Sequence, residues 1–121
     1  DDFTDDPPNH KWNTITKALD DAQEGDVLFV FDGRYEENIF VNQQVHIIGE
    51  HQGNVIIDGI GKLFAVNLLA DGIILENVTV TKGQQADIYV SNSDRNIVIS
   101  HCTLTDSING IERFFNQTLT W

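Results

Sequence analysis

Gly72-Ile73-Ile74-Leu75-Glu76-Asn77-Val78-Thr79-Val80-Thr81 returns 24 residues later as Asn96-Ile97-Val98-Ile99-Ser100-His101-Cys102-Thr103-Leu104-Thr105. The two stretches align Ile73 with Ile97, Leu75 with Ile99, Val78 with Cys102 and Val80 with Leu104, and place Asn77 over His101. Apolar residues alternate, skip one polar position and alternate again, which is the pattern of a strand, a sharp bend and a second strand. A repeat unit made of strands alone cannot bury its apolar face by itself. Stacking successive copies does so, and the resulting solenoid is a parallel β-helix.

The lattice extends in both directions. Phe64 and Val66 are matched 24 residues later by Ile88 and Val90, and Ile39 and Val41 stand 25 residues before the first pair, so each coil carries a third strand. Val45 and Ile47 precede Ile73 and Leu75 by 28, whereas Val55 and Ile57 precede Val78 and Val80 by only 23, which marks Glu50-His51-Gln52-Gly53 as an insertion at one corner. The pattern predicts an all-β parallel β-helix of three strands per coil and about four coils, with Val27 to Phe31 leading into the first and Ile111 near the start of the last.

Before the coils the pattern changes. Residues 1–11 read as an extended acidic leader, and residues 12–26 hold a short α-helix in which Ile15, Ala18, Leu19 and Ala22 share one face. Asn13 or Thr14 can cap its start, and Gly25 ends it. A helix placed there covers the apolar end of the first coil, with Trp12 packed beside it, and residues 27–121 form the coils of one domain.

With 19 carboxylates against 7 basic residues the formal net charge is −12, a field that repels nucleic acid and anionic membrane surfaces. No run of about 18 apolar residues is present to span a membrane. The chain opens on Asp-Asp, so a signal peptide would already have been removed. Most acids are dispersed and read as solvated surface; Asp1, Asp2, Asp5 and Asp6 are the candidates for a structural Ca²⁺, although neither acidic cluster has the order of a known calcium loop. The lone Cys102 reads as a small buried apolar residue in an inward strand position. His10, His46, His51 and His101 show no metal-ligand spacing, and His101 is read as stacking beneath Asn77 at the bend. No cofactor is expected.

Trp12-Asn13-Thr14-Ile15-Thr16-Lys17-Ala18-Leu19-Asp20-Asp21-Ala22, Gly25-Asp26-Val27, Asp32-Gly33-Arg34-Tyr35-Glu36-Glu37-Asn38-Ile39, and Val45-His46-Ile47-Ile48-Gly49-Glu50 with Ile56-Ile57-Asp58-Gly59 follow one another in order. This string resembles the opening of the pectin-lyase-like right-handed β-helices, within them the NosD-like branch of carbohydrate-binding and sugar-hydrolase domains. With the acidic leader and Pro7-Pro8, it is similar in style to modules of archaeal, especially methanogen, and bacterial surface proteins. The resemblance implies a right-handed coil and an extracellular setting. Its copper association does not carry over, since Met is absent and the histidines are scattered.

Lyases of this fold use an Arg or Lys base beside carboxylate-held Ca²⁺, but Arg34, Arg95 and Arg113 stand apart from any stack of acids. Acids one rung apart, Asp71 with Asp94 or Asp87 with Glu112, are what chance would give among so many, and Ser100 replaces Glu76 one coil on. The chain is therefore expected to be a non-catalytic extracellular module, a self-assembling component of a surface layer, sheath or filament. The alternatives are a carbohydrate-binding module and a fragment of a polysaccharide lyase or glycoside hydrolase. Phe40 and Tyr89, two rungs apart on one outward stack, together with Phe114, Phe115 and Trp121, are the candidate contacts for polysaccharide or for a further copy in a homo-oligomer or polymer. The sequons put Asn116, and after it Asn77, as glycan acceptors.

Overall fold

The structure is a computed structural model that describes residues 12–91 and 95–113. Twelve strands wind into about four turns of a parallel solenoid with three sheets. Sheet A contains β1 (Val27–Val30), β4 (His46–Gly49), β7 (Ile74–Glu76) and β10 (Val98–Ser100); sheet B contains β2 (Gly33–Glu36), β5 (Val55–Asp58), β8 (Thr79–Thr81) and β11 (Thr103–Thr105). Sheet C contains β3 (Ile39–Val41), β6 (Phe64–Leu68), β9 (Ala86–Val90) and β12 (Asn109–Arg113).

Every pairing is parallel and in register, so like residues stack in columns. Leu28, Ile47, Leu75 and Ile99 form the inner column of sheet A; Tyr35, Ile57, Val80 and Leu104 that of sheet B; Ile39, Val66, Ile88 and Ile111 that of sheet C. Most of these side chains are fully buried, and each contributes roughly 1.5–3 kcal/mol by leaving water. The ends of the columns, Tyr35, Leu104 and Ile111, are only partly covered.

The corners are set by residues in the left-handed region. Asn77 (φ 66°) and His101 (φ 51°) turn sheet A into sheet B on successive coils, Ile60 (φ 49°), Lys82 (φ 62°) and Asp106 (φ 59°) turn B into C, and Gly72 (φ 74°) and Asn96 (φ 59°) turn C into A. Asn and Asp tolerate this backbone at low cost, whereas Ile60 does not, and its N–H is held by Oδ1 of Asp58 at 2.8 Å. The Asn77 side chain also donates upward to the Gly49 carbonyl at 2.9 Å. That contact requires a glycine at 49, since a Cβ there would lie 2.2 Å from the Asn77 carbonyl oxygen.

Helix α1 (Ile15–Asp21) lies over the first coil with Ile15, Ala18 and Leu19 buried. Thr14 caps it, accepting the Lys17 N–H at 3.1 Å. Glu37, just after β2, reaches back to accept the N–H groups of Ile15 and Thr16 and the Thr16 hydroxyl at 2.9, 2.8 and 2.7 Å. One carboxylate thereby satisfies orphan donors at the positive end of the helix and ties it to the solenoid. Trp12 is buried and its indole donates to Asp21 at 2.7 Å.

The periodicity misplaces sheet C. Phe64 pairs with Ala86 and Val66 with Ile88, an offset of 22 rather than 24, and Ile39 pairs with Val66, an offset of 27 rather than 25. A two-residue slip keeps every inward residue inward, so alternation cannot detect it. The difference is returned at the corner from C to A, which takes 69–73 in one coil and 91–97 in the next. Cys102 sits at the bend between β10 and β11 rather than in a strand, partly buried against the core, with burial pushing its thiol up. The inserted corner, 50–54, lies between β4 and β5, and its Gln52 donates to the Thr103 hydroxyl at 3.0 Å and accepts the Thr79 hydroxyl at 2.8 Å.

Gly49→Ala must push apart the Asn77 corner, and is expected to lower the unfolding free energy by about 1–3 kcal/mol in a denaturant titration. A change below a few tenths of a kcal/mol would show that the corner yields without strain.

Candidate functional site

The outer face of sheet C presents two aromatic rings, Phe40 and Tyr89. Alternation places Phe40 outward between the buried Ile39 and Val41, and it is 55% exposed. Register carries that position to Asn67, Tyr89 and Glu112 on the coils that follow. Phe40 and Tyr89 thus occupy one outward ladder two rungs apart, with Asn67 between them where the sequence lattice put Ala65.

Asn67 is buried and donates to the Ile39 carbonyl at 3.1 Å, which fixes the rung between the rings. Tyr89 stacks on Phe64 with centroids 4.6 Å apart and planes at 22°. Gln85 donates to Glu112 at 2.6 Å along the lower edge, and the exposed Ile60, Leu63 and Leu69 lie in the corners at the two sides. The result is a ring-bearing face with amide and carboxylate groups at its margin.

Among the described residues one further group gathers donors of metal-ligand type. Asp32, Glu50 and His51 meet at the inserted corner with one ligand atom from each within 4.8 Å of the others. Those atoms already serve one another and the turn: His51 Nδ1 is 2.9 Å from Asp32, and Glu50 accepts the Asp32 N–H at 2.9 Å. The Asp32 carboxylate, through its hydrogen bond and then its charge, raises the His51 imidazole above its usual value. Sequence spacing could not reveal this group, because 18 residues separate Asp32 from Glu50 and only the stacking of two coils unites them.

Other polar candidates are engaged. His46 and Glu76 bond across the outer face of sheet A at 2.6 Å. Arg34 pairs with Asp58 and Glu36. Burial pushes the Asp58 carboxyl up, but the Ile60 N–H, Arg34 and Lys82 outweigh it and hold the group below its usual value. Asp71 accepts the Arg95 N–H at 2.9 Å. The Asn77 amide, offered as a glycan acceptor, donates into the corner to Gly49 and is half-buried. Asp1, Asp2, Asp5, Asp6, Asp94, Phe114, Phe115, Asn116 and Trp121 lie outside the described residues.

No known sequence family and no curated protein matches the chain. Solved structures do. A pectin methylesterase crystallised in complex with a hexasaccharide superposes with a TM-score of 0.71 at 16% identity, covering 86% of this chain and 43% of that one. The pectin methylesterase of Aspergillus niger gives a TM-score of 0.56 at 17% identity, covering 88% of this chain and 54% of that one. The chain therefore spans about half the length of the enzymes it resembles, and it shares with them the right-handed parallel β-helix. The expectation of a non-catalytic module is corrected here: the fold is that of enzymes, so isolated arginines and chance pairs of acids give no ground for excluding catalysis. Among the described residues no helix is long and apolar enough to cross a membrane.

In a proton NMR titration the His51 ring is expected to show a midpoint above 6.5, returning toward 6.5 in Asp32→Asn. Stability drawn from this pair is present below pH 6.5 and is lost as the pH rises through the raised midpoint. An unshifted midpoint in the parent protein would mean that the pair is open in solution.

Proposed function

We propose that this chain is an extracellular β-helix module that engages a polysaccharide along the outer face of sheet C. The observation that carries the reading is the ladder of Phe40, Asn67 and Tyr89, with Phe64 stacked on Tyr89, on a fold shared with a pectin methylesterase crystallised with a hexasaccharide. Coils stack about 4.8 Å apart, so Phe40 and Tyr89, on alternate rungs, lie in line along the solenoid axis, the direction in which a linear glycan would bridge them. The net charge of −12 works against polyanionic chains, so neutral or esterified polymers fit this surface best. The order of motifs over residues 12–59 supports a place in the NosD-like branch of such domains.

A second reading is assembly of copies into a surface layer. Val98 (45%) and Ile108 (79%) are exposed on the last described coil, and the outer edges of β10, β11 and β12 carry no further strand among the described residues. Concentration-dependent light scattering that Ile108→Asp returns to monomer would favour it.

Affinity electrophoresis through neutral glucan, xylan, and esterified and de-esterified polyuronide separates the two. Retardation by a neutral or esterified polymer is expected, reduced about fivefold in affinity by Phe40→Ala or Tyr89→Ala, since a lost ring contact is worth on the order of 1 kcal/mol. Absence of retardation by all four polymers, or retention unchanged in both variants, would remove the proposal.

A further inference from the structure

Four successive coils each place one outward side chain on a single line of sheet C: Phe40, Asn67, Tyr89 and Glu112. In-register coils rise by about 4.8 Å, so the two rings stand two rungs, about 9–10 Å, apart along the solenoid axis. The rungs between and beyond them differ in kind. Asn67 is buried, its amide drawn down onto the Ile39 carbonyl at 3.1 Å, so the middle rung is low. Tyr89 is half-buried, and Phe64 stacks on it with centroids 4.6 Å apart, which holds the ring in place. Glu112, one rung past Tyr89, accepts the Gln85 amide at 2.6 Å.

A linear glycan matches such a line only if its own repeat does. In an extended chain of pyranoses joined through equatorial bonds, each sugar advances the chain by about the rise of one coil. Held as a two-fold ribbon, the chain turns each sugar over relative to the last. Sugars i and i+2 then show the same face to the protein, and sugar i+1 shows the opposite one. Rings on alternate rungs with a low rung between fit that pattern: Phe40 takes the C–H face of sugar i, Tyr89 the equivalent face of sugar i+2, and sugar i+1 passes over Asn67. An axially linked chain coils, which carries its third sugar off the line of the rungs. Charge narrows the choice further. The formal net charge is −12 and Glu112 continues the line of the rings, so a polyuronide is repelled, whereas neutral hydroxyls can donate to that carboxylate.

On the reading of sheet C as a polysaccharide face, we infer that its ligand is a neutral, extended two-fold ribbon of β-1,4-linked pyranoses, a glucan or mannan of the cellulose type, gripped over at least three sugars. Two sugars reach only one ring. A third brings in the second ring, and a fourth reaches the rung of Glu112. Specificity lies in the spacing of Phe40 and Tyr89, so the same monomer in a coiled linkage is refused.

The test is an NMR titration of the chain, followed at the backbone amides, with β-1,4-linked gluco-oligosaccharides of two to five sugars. The α-1,4-linked oligosaccharides of the same lengths and the same monomer are the control. Shifts centred on Phe40, Asn67 and Tyr89 are expected, with affinity rising about fivefold from two sugars to three as the second ring is engaged. The α-linked series should show no such step and bind three sugars at least about fivefold more weakly. Phe40→Ala, at a position 55% exposed, should remove the step, and Tyr89→Phe, which keeps the ring, should retain it. Equal affinity for the two linkages, no step at three sugars, or a step that survives Phe40→Ala would overturn the inference while leaving polysaccharide binding by this face in place. Retardation by a polymer with no oligosaccharide bound would overturn it as well. A chain that binds neither oligosaccharide nor polymer would remove both readings.

Discussion

The structure depends on in-register parallel stacking. Each interior strand takes its hydrogen bonds from the coil above and the coil below, so residues at equivalent positions must share a size, a polarity and an orientation. This is why the columns are runs of Ile, Leu and Val and why the corners repeat. A coil whose corner failed to return the chain to the next rung would lose every bond it makes. Left-handed residues at Asn77, His101, Lys82, Asp106, Gly72 and Asn96, and the bare glycine at 49, are the local consequences of that global demand.

The acidic character of the chain takes on a second meaning in this frame. Many carboxylates do more than keep the surface solvated: they accept backbone N–H groups that the sheets leave unpaired. Glu37 serves the start of α1, Asp26 the N–H of Gln23, Glu50 that of Asp32, Asp58 that of Ile60, Asp71 that of Arg95 and Asp87 that of Gly83. A solenoid has corners on every coil and each corner strands donors, so an acceptor-rich composition suits it. Asp87 differs from the others by being shut away from water.

Stacking leaves the outer faces of the three sheets free. Sheet A carries the His46–Glu76 pair among Val27, Phe29, Ile48, Ile74 and Val98, and sheet B is partly covered by the inserted corner and crossed by Arg34 and Asp58. Sheet C carries Phe40 and Tyr89 outward on alternate rungs. The resemblance to pectin methylesterases fixes the scaffold, and the chemistry of the platform belongs to this chain's own residues.

The sequence by itself determined the solenoid, because the echo of 72–81 in 96–105 is the imprint of one coil on the next, and it placed a short helix, started by Asn13 or Thr14, within residues 12–26 and the insertion after Gly49. It also gave the outward ladder of Phe40 and Tyr89, since alternation decides which side of a strand a residue faces. Only the tertiary structure decided the register of sheet C, where a slip of two residues costs nothing in alternation and the corner lengths must be known. The group at Asp32, Glu50 and His51 was likewise hidden. Its members are drawn from different coils, and adjacency between coils is a property of the stack.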